Sequence, residues 1–184
     1  MNRFCRKIVY VPLCALLMVS CGSKDDNTVA DQRTAIETFL TNTFGEEGYD
    51  KIDKVYRVAI EREGNYNRSK RLEKGDIARF YFAGYEFTTR RVESVFFSNV
   101  GWIIEELREA GLTEIYWDKD IYETKLGEGK VIRGIEKGIE GCREGDSVRV
   151  FLTTDLAFGS YYISNLDPYS AVEYVIWLEE VEKQ

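Results

Sequence analysis

Leu126-Gly127-Glu128-Gly129-Lys130-Val131-Ile132-Arg133-Gly134-Ile135-Glu136-Lys137-Gly138 is where the apolar period of the chain changes. From here Ile132, Ile135, Ile139 and Cys142 recur every three or four residues, which predicts a short amphipathic helix over 131–142. On both sides the apolar residues alternate instead. Downstream, Gly145-Asp146 turns the chain, and Val148, Val150 and Leu152 alternate along a strand. A last strand over 171–181 puts Val172, Tyr174, Ile176 and Leu178 on one face. Upstream, 54–61, 76–87 and 92–97 read as strands, and Phe80 and Phe82 share a face of the second. Strands, one helix, then strands predict an α+β fold, a twisted antiparallel β-sheet wrapped around one short helix. Further upstream, Ala35, Ile36, Phe39, Leu40 and Thr43 predict a helix over 29–44, ended by Gly45 and Gly48. That helix carries no chemistry; it packs on the domain or spaces it from what precedes it.

Composition excludes several functions. The 184 residues suffice for one domain with appendages, and 44% are hydrophobic, as a globular core requires. The formal charge is −7. Without the bases Arg3, Arg6 and Lys7 of the first twenty residues, 22 Lys and Arg face 32 Asp and Glu, a net charge of −10. Such a chain is a poor partner for nucleic acid, whose phosphates attract clustered cations. There is no histidine. His-dependent triads and dyads are therefore excluded, as are metal sites that use imidazole.

The first twenty residues read as a leader. Three bases precede an apolar run from Ile8 to Val19, too short to span a bilayer comfortably. The run closes on Leu17-Met18-Val19-Ser20-Cys21, which resembles a bacterial lipoprotein box with Met where Leu is usual. The resemblance implies cleavage before Cys21 and lipidation of that residue, and several acyl chains would anchor the chain to a membrane. The alternative is a secretory signal with an accidental cysteine. Gly22-Ser23-Lys24-Asp25-Asp26-Asn27 resembles the polar tether of Bacteroides-type lipoproteins. The expected location is thus the bacterial cell envelope, as an outer-membrane lipoprotein on its periplasmic or surface face. Cys5 and Cys14 leave with the leader, so Cys142 is the only remaining thiol and reads as a packing residue.

Gly75-Asp76-Ile77-Ala78-Arg79-Phe80-Tyr81-Phe82-Ala83-Gly84, the 126–138 stretch, Glu144-Gly145-Asp146, Leu156-Ala157-Phe158-Gly159 and Ser170-Ala171-Val172-Glu173-Tyr174-Val175-Ile176-Trp177-Leu178 follow one another in a fixed order. In that order they resemble FKBP-type peptidyl-prolyl isomerases, over about 51–182. The resemblance implies an apolar pocket that grips a proline side chain and needs neither cofactor nor metal. Its implied catalytic residues are Phe82, Phe97, Ile132, Phe158 and Tyr174. Tyr122, Val131, Ile135 and Leu166 are its implied substrate-binding residues, with Leu166 on a loop that flaps over the pocket. The implied partners are proline-containing polypeptides. The implied organisation is a signal over 1–20, a tether and helix over 21–50, and the domain over 51–184. On pattern alone Phe82, Val131, Ile132 and Tyr174 also read as ordinary core residues.

Several positions depart from the family. Ile135 stands where a tryptophan is usual, Phe158 and Phe82 where tyrosines are, and Ser98 where an aspartate is. An insertion over about 100–119, containing Trp102-Ile103-Ile104-Glu105-Glu106-Leu107-Arg108, predicts a helical turn or two beside the pocket. It reads equally as a substrate flap or partner site and as a decoration packed on the sheet. Three functions remain open: an isomerase of reduced activity acting on envelope proteins, a non-catalytic peptide-binding chaperone, and a surface interaction lipoprotein.

Overall fold

A computed structural model describes residues 24–60, 64, 66–88, 92–111 and 118–184. The leader, Cys21 and the middle of the insertion lie outside the described residues. In chain order the elements are α1 (Lys24–Phe44), β1 (Asp50–Ile52), β2 (Val55–Ile60), β3 (Ile77–Phe87), β4 (Val92–Ser98), α2 (Gly101–Glu109), β5 (Tyr122–Lys125), α3 (Arg133–Ile139), β6 (Ser147–Leu152) and β7 (Val172–Glu182). A single 3-10 turn, Thr154–Leu156, follows β6. The strands form one antiparallel sheet in the order β1-β2-β6-β7-β3-β4, with β5 also paired to β3. This is the α+β arrangement implied by the change of period.

The sheet is buried on both faces. One face packs on α3 through Phe80, Phe82, Val150, Leu152, Tyr174, Ile176, Ile135 and Ile139. The other packs on α1 through Tyr56, Val58, Phe87 and Phe151 against Ile36 and Leu40. Helix α1 is therefore part of the domain's packing rather than a spacer. It starts five residues earlier than the apolar pattern indicated, where polar residues leave no periodic signal.

Helix α3 is shorter than its stripe. It ends at Ile139, and Gly141 (φ 80°) turns the chain out of the helix. Its close approach to β6 depends on two glycines on one face. A Cβ at Gly134 would stand 2.5 Å from Leu152 Cδ1, and one at Gly138 would stand 2.6 Å from Val150 Cγ1. Cys142 is buried beside this helix, and burial pushes its thiol up to about 11, as expected of a packing residue.

One edge of β3 is shared. Strand β5 pairs with its first half (Ile77–Phe80) and β4 with its second half from Ala83. The gap between them is closed by Asn99. Its Oδ1 accepts from Phe82 N–H (2.7 Å), and its Nδ2 donates to Phe80 O (3.3 Å) and Asp120 O (3.0 Å). Ser98 Oγ donates to Phe82 O (2.9 Å) and accepts from Val100 N–H (3.0 Å). A side-chain amide thus stands in for a missing strand, and the inserted segment leaves the sheet here without orphaning buried backbone groups. Asn99→Ala should cost about 2–3 kcal/mol in urea unfolding, because it strips buried partners from β3. A loss near zero would show that the gap is closed by something other than this amide.

Candidate active site

A hollow of about 530 Å³ opens between α3, the curved face of β3 and β4, and the loop joining β6 to β7. Strand β3 supplies Phe80 and Phe82, because its side chains alternate and this face points at α3. Strand β7 supplies Tyr174 by the same rule. Strand β5 supplies Tyr122, and the approach to α3 supplies Lys130, Val131 and Ile132. Ile135, on the first turn of α3, forms the floor and is 5% exposed.

Strand β4 contributes two consecutive residues, Phe96 and Phe97, which strict alternation forbids. The register explains it. Gly84 lies opposite Phe97 and Tyr85 opposite Val95, so Phe96 is the extra residue of a bulge. Its ring is fully buried and meets Tyr174 and Phe158 edge-on, at centroid distances of 5.7 Å each. Phe97 instead packs on Phe82 at 5.2 Å. Gly84 makes room for this arrangement, since a Cβ there would stand 2.8 Å from Phe96 Cζ and 2.9 Å from Tyr174 Cε1.

Phe82, Phe97, Tyr122, Val131, Ile132, Ile135, Phe158 and Tyr174 all line this one hollow. Leu166 does not, contrary to its expected place on a flap over the pocket. It is 2% exposed and belongs to the core. Leu166 N–H donates to Ile163 O (2.8 Å), closing a turn in which Ser164 adopts φ 53°. That turn sends Leu166 inward and presents Ile163 and Ser164 to the hollow. Phe80, Phe96, Lys130, Ile163 and Ser164 were not anticipated. The Phe96-Phe97 pair was the only signal available for a bulge. No described residue of α2 lines the hollow; Ile103 and Ile104 are buried and Trp102 is exposed.

Polar groups in the hollow are few. Among the described residues no hydrogen bond from the Ile132 N–H is found, and Ile132 lines the hollow. The turn before it is fixed by Glu136, whose Oε1 accepts from Gly127 N–H (3.2 Å) and Gly129 N–H (3.0 Å). The Tyr174 hydroxyl likewise has no bonded partner among the described residues. Burial pushes its ionisation well above the usual phenol value, so it remains a neutral donor. The Tyr122 hydroxyl is in weak contact with Lys130 O at 3.4 Å. Ser98 has its hydroxyl tied to the β3 backbone and does not face the hollow.

The family model described as FKBP-type peptidyl-prolyl cis-trans isomerase matches residues 68–179. The chain belongs to this family. Solved FKBP-type structures share the fold at low identity. A peptidyl-prolyl cis-trans isomerase from Pseudomonas syringae pv. tomato aligns with TM-score 0.55 and 13% identity over 88% of this chain and 98% of its own. FkpA from Escherichia coli aligns with TM-score 0.55 and 14% identity over 86% of this chain and 63% of its own. The three FKBP domains of wheat FKBP73 align with TM-score 0.55 and 19% identity over 74% of this chain and 51% of that one. No curated protein sequence matches the chain. The FKBP region thus contains the whole hollow but begins after α1, β1 and β2.

Gly84→Ala should cost about 1–3 kcal/mol by overpacking and displace the Phe96 and Tyr174 rings. Denaturant unfolding and the aromatic NMR shifts of those two residues measure it. Unchanged shifts would mean that the wall of the hollow does not depend on this missing side chain.

Proposed function

We propose that this FKBP-family chain is a peptidyl-prolyl cis-trans isomerase of reduced rate that serves proline-containing polypeptides of a bacterial envelope, held to the membrane through lipidated Cys21. The observation that carries the catalytic part is the hollow itself: an apolar recess of about 530 Å³, roomy enough for a proline side chain, lined by Phe82, Phe97, Ile132, Phe158 and Tyr174. The anchor rests on the lipoprotein-like box at 17–21 and the polar stretch after it.

The chemistry needs no proton transfer or nucleophile. An X–Pro amide rotates slowly because C–N resonance must be lost, at a barrier of about 20 kcal/mol. The twisted amide has less charge separation than the planar one, so a recess poor in water favours it relative to solvent. Aromatic walls hold the pyrrolidine ring while the Ile132 N–H donates a hydrogen bond to a neighbouring carbonyl. The neutral Tyr174 hydroxyl is a second donor within the same recess. Ile135 offers less flat contact area than an indole, and Phe82 and Phe158 offer no hydroxyl. Each missing hydrogen bond is worth about 1 kcal/mol, or roughly fivefold in rate, which is why the rate is expected to be low.

A second reading, a chaperone that holds extended chains without turning them over, is favoured by Tyr161 and Tyr162. They are 73% and 76% exposed and sit directly before Ile163 on the loop over the hollow. One assay separates the two. The protein should accelerate isomerisation of an X–Pro peptide, Phe158→Ala should lower kcat/KM about tenfold, and Ile135→Trp should raise it several-fold. Binding of the peptide with no acceleration by either wild type or Ile135→Trp would remove the enzyme and leave the holding function.

A further inference from the structure

The loop from Thr153 to Ala171 gives the hollow Phe158, Ile163 and Ser164, so its pose sets the shape of that wall. Its two ends meet at a neck. Gly159 N–H donates to Thr154 O (2.9 Å), and Tyr169 N–H donates to Gly159 O (2.7 Å). Thr154 Oγ1 donates to the same Gly159 oxygen at 3.3 Å. Tyr169 sits at φ 62°, a left-handed conformation that a residue with a Cβ enters only under constraint. Something must therefore hold the neck closed.

Besides the loop's own bonds, a holder comes from outside the FKBP region. Gln32 on α1 donates from Nε2 to Tyr169 O (2.6 Å) and accepts at Oε1 from Thr154 N–H (2.9 Å). One side-chain amide thus clamps the outgoing and the incoming strand of the loop. Thr154 is 4% exposed, so its N–H has little access to water as a substitute partner. The amide serves both ends at once, because its Nε2 is a donor for one contact and its Oε1 an acceptor for the other. The helix that carries Gln32 is anchored to the far face of the sheet by Ile36 and Leu40, both fully buried.

We infer that Gln32 is a positioning residue for the proline pocket: by clamping the neck of the 153–171 loop it sets where Phe158, Ile163 and Ser164 stand, so the docked state of α1 governs the pocket's affinity. Helix α1 is then a working part of the binding unit rather than a stalk. The ligand named here, a proline-containing peptide, rests on the isomerase reading; the pose of the loop does not.

The test compares wild type, Gln32→Ala, Gln32→Glu and the exposed same-helix control Thr34→Ala, all in the full-length protein. In Gln32→Ala both clamp bonds are gone, and KM for the X–Pro peptide should rise by about five- to twentyfold, with kcat kept within about twofold. Amide exchange at Tyr169 should accelerate about tenfold while Ile176, in the centre of the sheet, keeps its protection. Gln32→Glu keeps an acceptor for the Thr154 N–H but sets a carboxylate against the Tyr169 carbonyl, so Thr154 keeps its protection while the neck bond from Tyr169 N–H to Gly159 O loosens and Tyr169 exchanges faster. Thr34→Ala should match wild type throughout. The inference is overturned if Gln32→Ala leaves Tyr169 exchange and the ¹H–¹⁵N shifts of Phe158 and Ser164 unchanged. It is equally overturned if Ile176 is deprotected as much as Tyr169, since that makes Gln32 a general stability contact. Should wild type neither bind nor turn over the peptide, the isomerase reading falls, and the exchange and shift measurements still decide the clamp.

Discussion

The pairing of β3 with β7 is the constraint on which the rest of the molecule depends. It runs antiparallel from Ile77 opposite Glu182 to Glu86 opposite Val172. Because side chains alternate along a strand, this register sends Phe80, Phe82, Tyr174, Ile176 and Leu178 to one face together. A slip of one residue would deliver Glu173, Val175 and Trp177 to α3 instead and abolish the hollow. The pairing also fixes what the opposite face must tolerate. Glu173 is 1% exposed there; burial raises its carboxyl above the usual range, and a hydrogen bond from Arg149 opposes that shift. Placing a carboxylate in that position is tolerable because the guanidinium reaches it.

From this register the site follows in steps. Two small-residue devices turn an ordinary sheet and helix into a recess. Gly134 and Gly138 let α3 settle onto β6, which lowers Ile135 to the floor. Gly84 leaves the space into which the bulged Phe96 turns, and Phe96 then props Phe158 and Tyr174. The recess is thus bounded by residues whose positions are held by close packing, where a shift of one side chain is felt by its neighbours. Its polar groups are sparse and specific, as small-molecule and peptide recesses generally are.

The two less regular parts of the chain are each secured by an amide. Asn99 replaces the missing stretch of strand beside Phe82, and Gln32 spans the neck of the loop that covers the opposite wall. Both supply a donor and an acceptor from one planar group, so both can stand in for a peptide unit. In each case the amide satisfies backbone groups where an irregular segment meets the sheet, so that an inserted helix and a long loop coexist with a closed hydrophobic interior.

The sequence by itself determined the order of strands and helix and the inward faces of β3, β6 and β7, since alternation and the 3.6-residue period are written directly in the spacing of apolar residues; most of the residues around the hollow were legible only through the family resemblance. It also carried the family resemblance, because the Gly-rich turn before α3 and the aromatic strands occur in a fixed order. The tertiary structure alone decided four things. Strands β1 and β5, of three and four residues, exist only because longer strands offer them partners. Phe96 joins Phe97 at the site through a bulge, a mismatch in count between two strands that neither strand records. Leu166 turns into the core and Ile163 takes the rim, because a local turn reverses the loop. Gln32 meets Thr154 and Tyr169 across more than a hundred residues of chain, and contacts of that range are set by how the sheet and α1 pack, not by any local pattern.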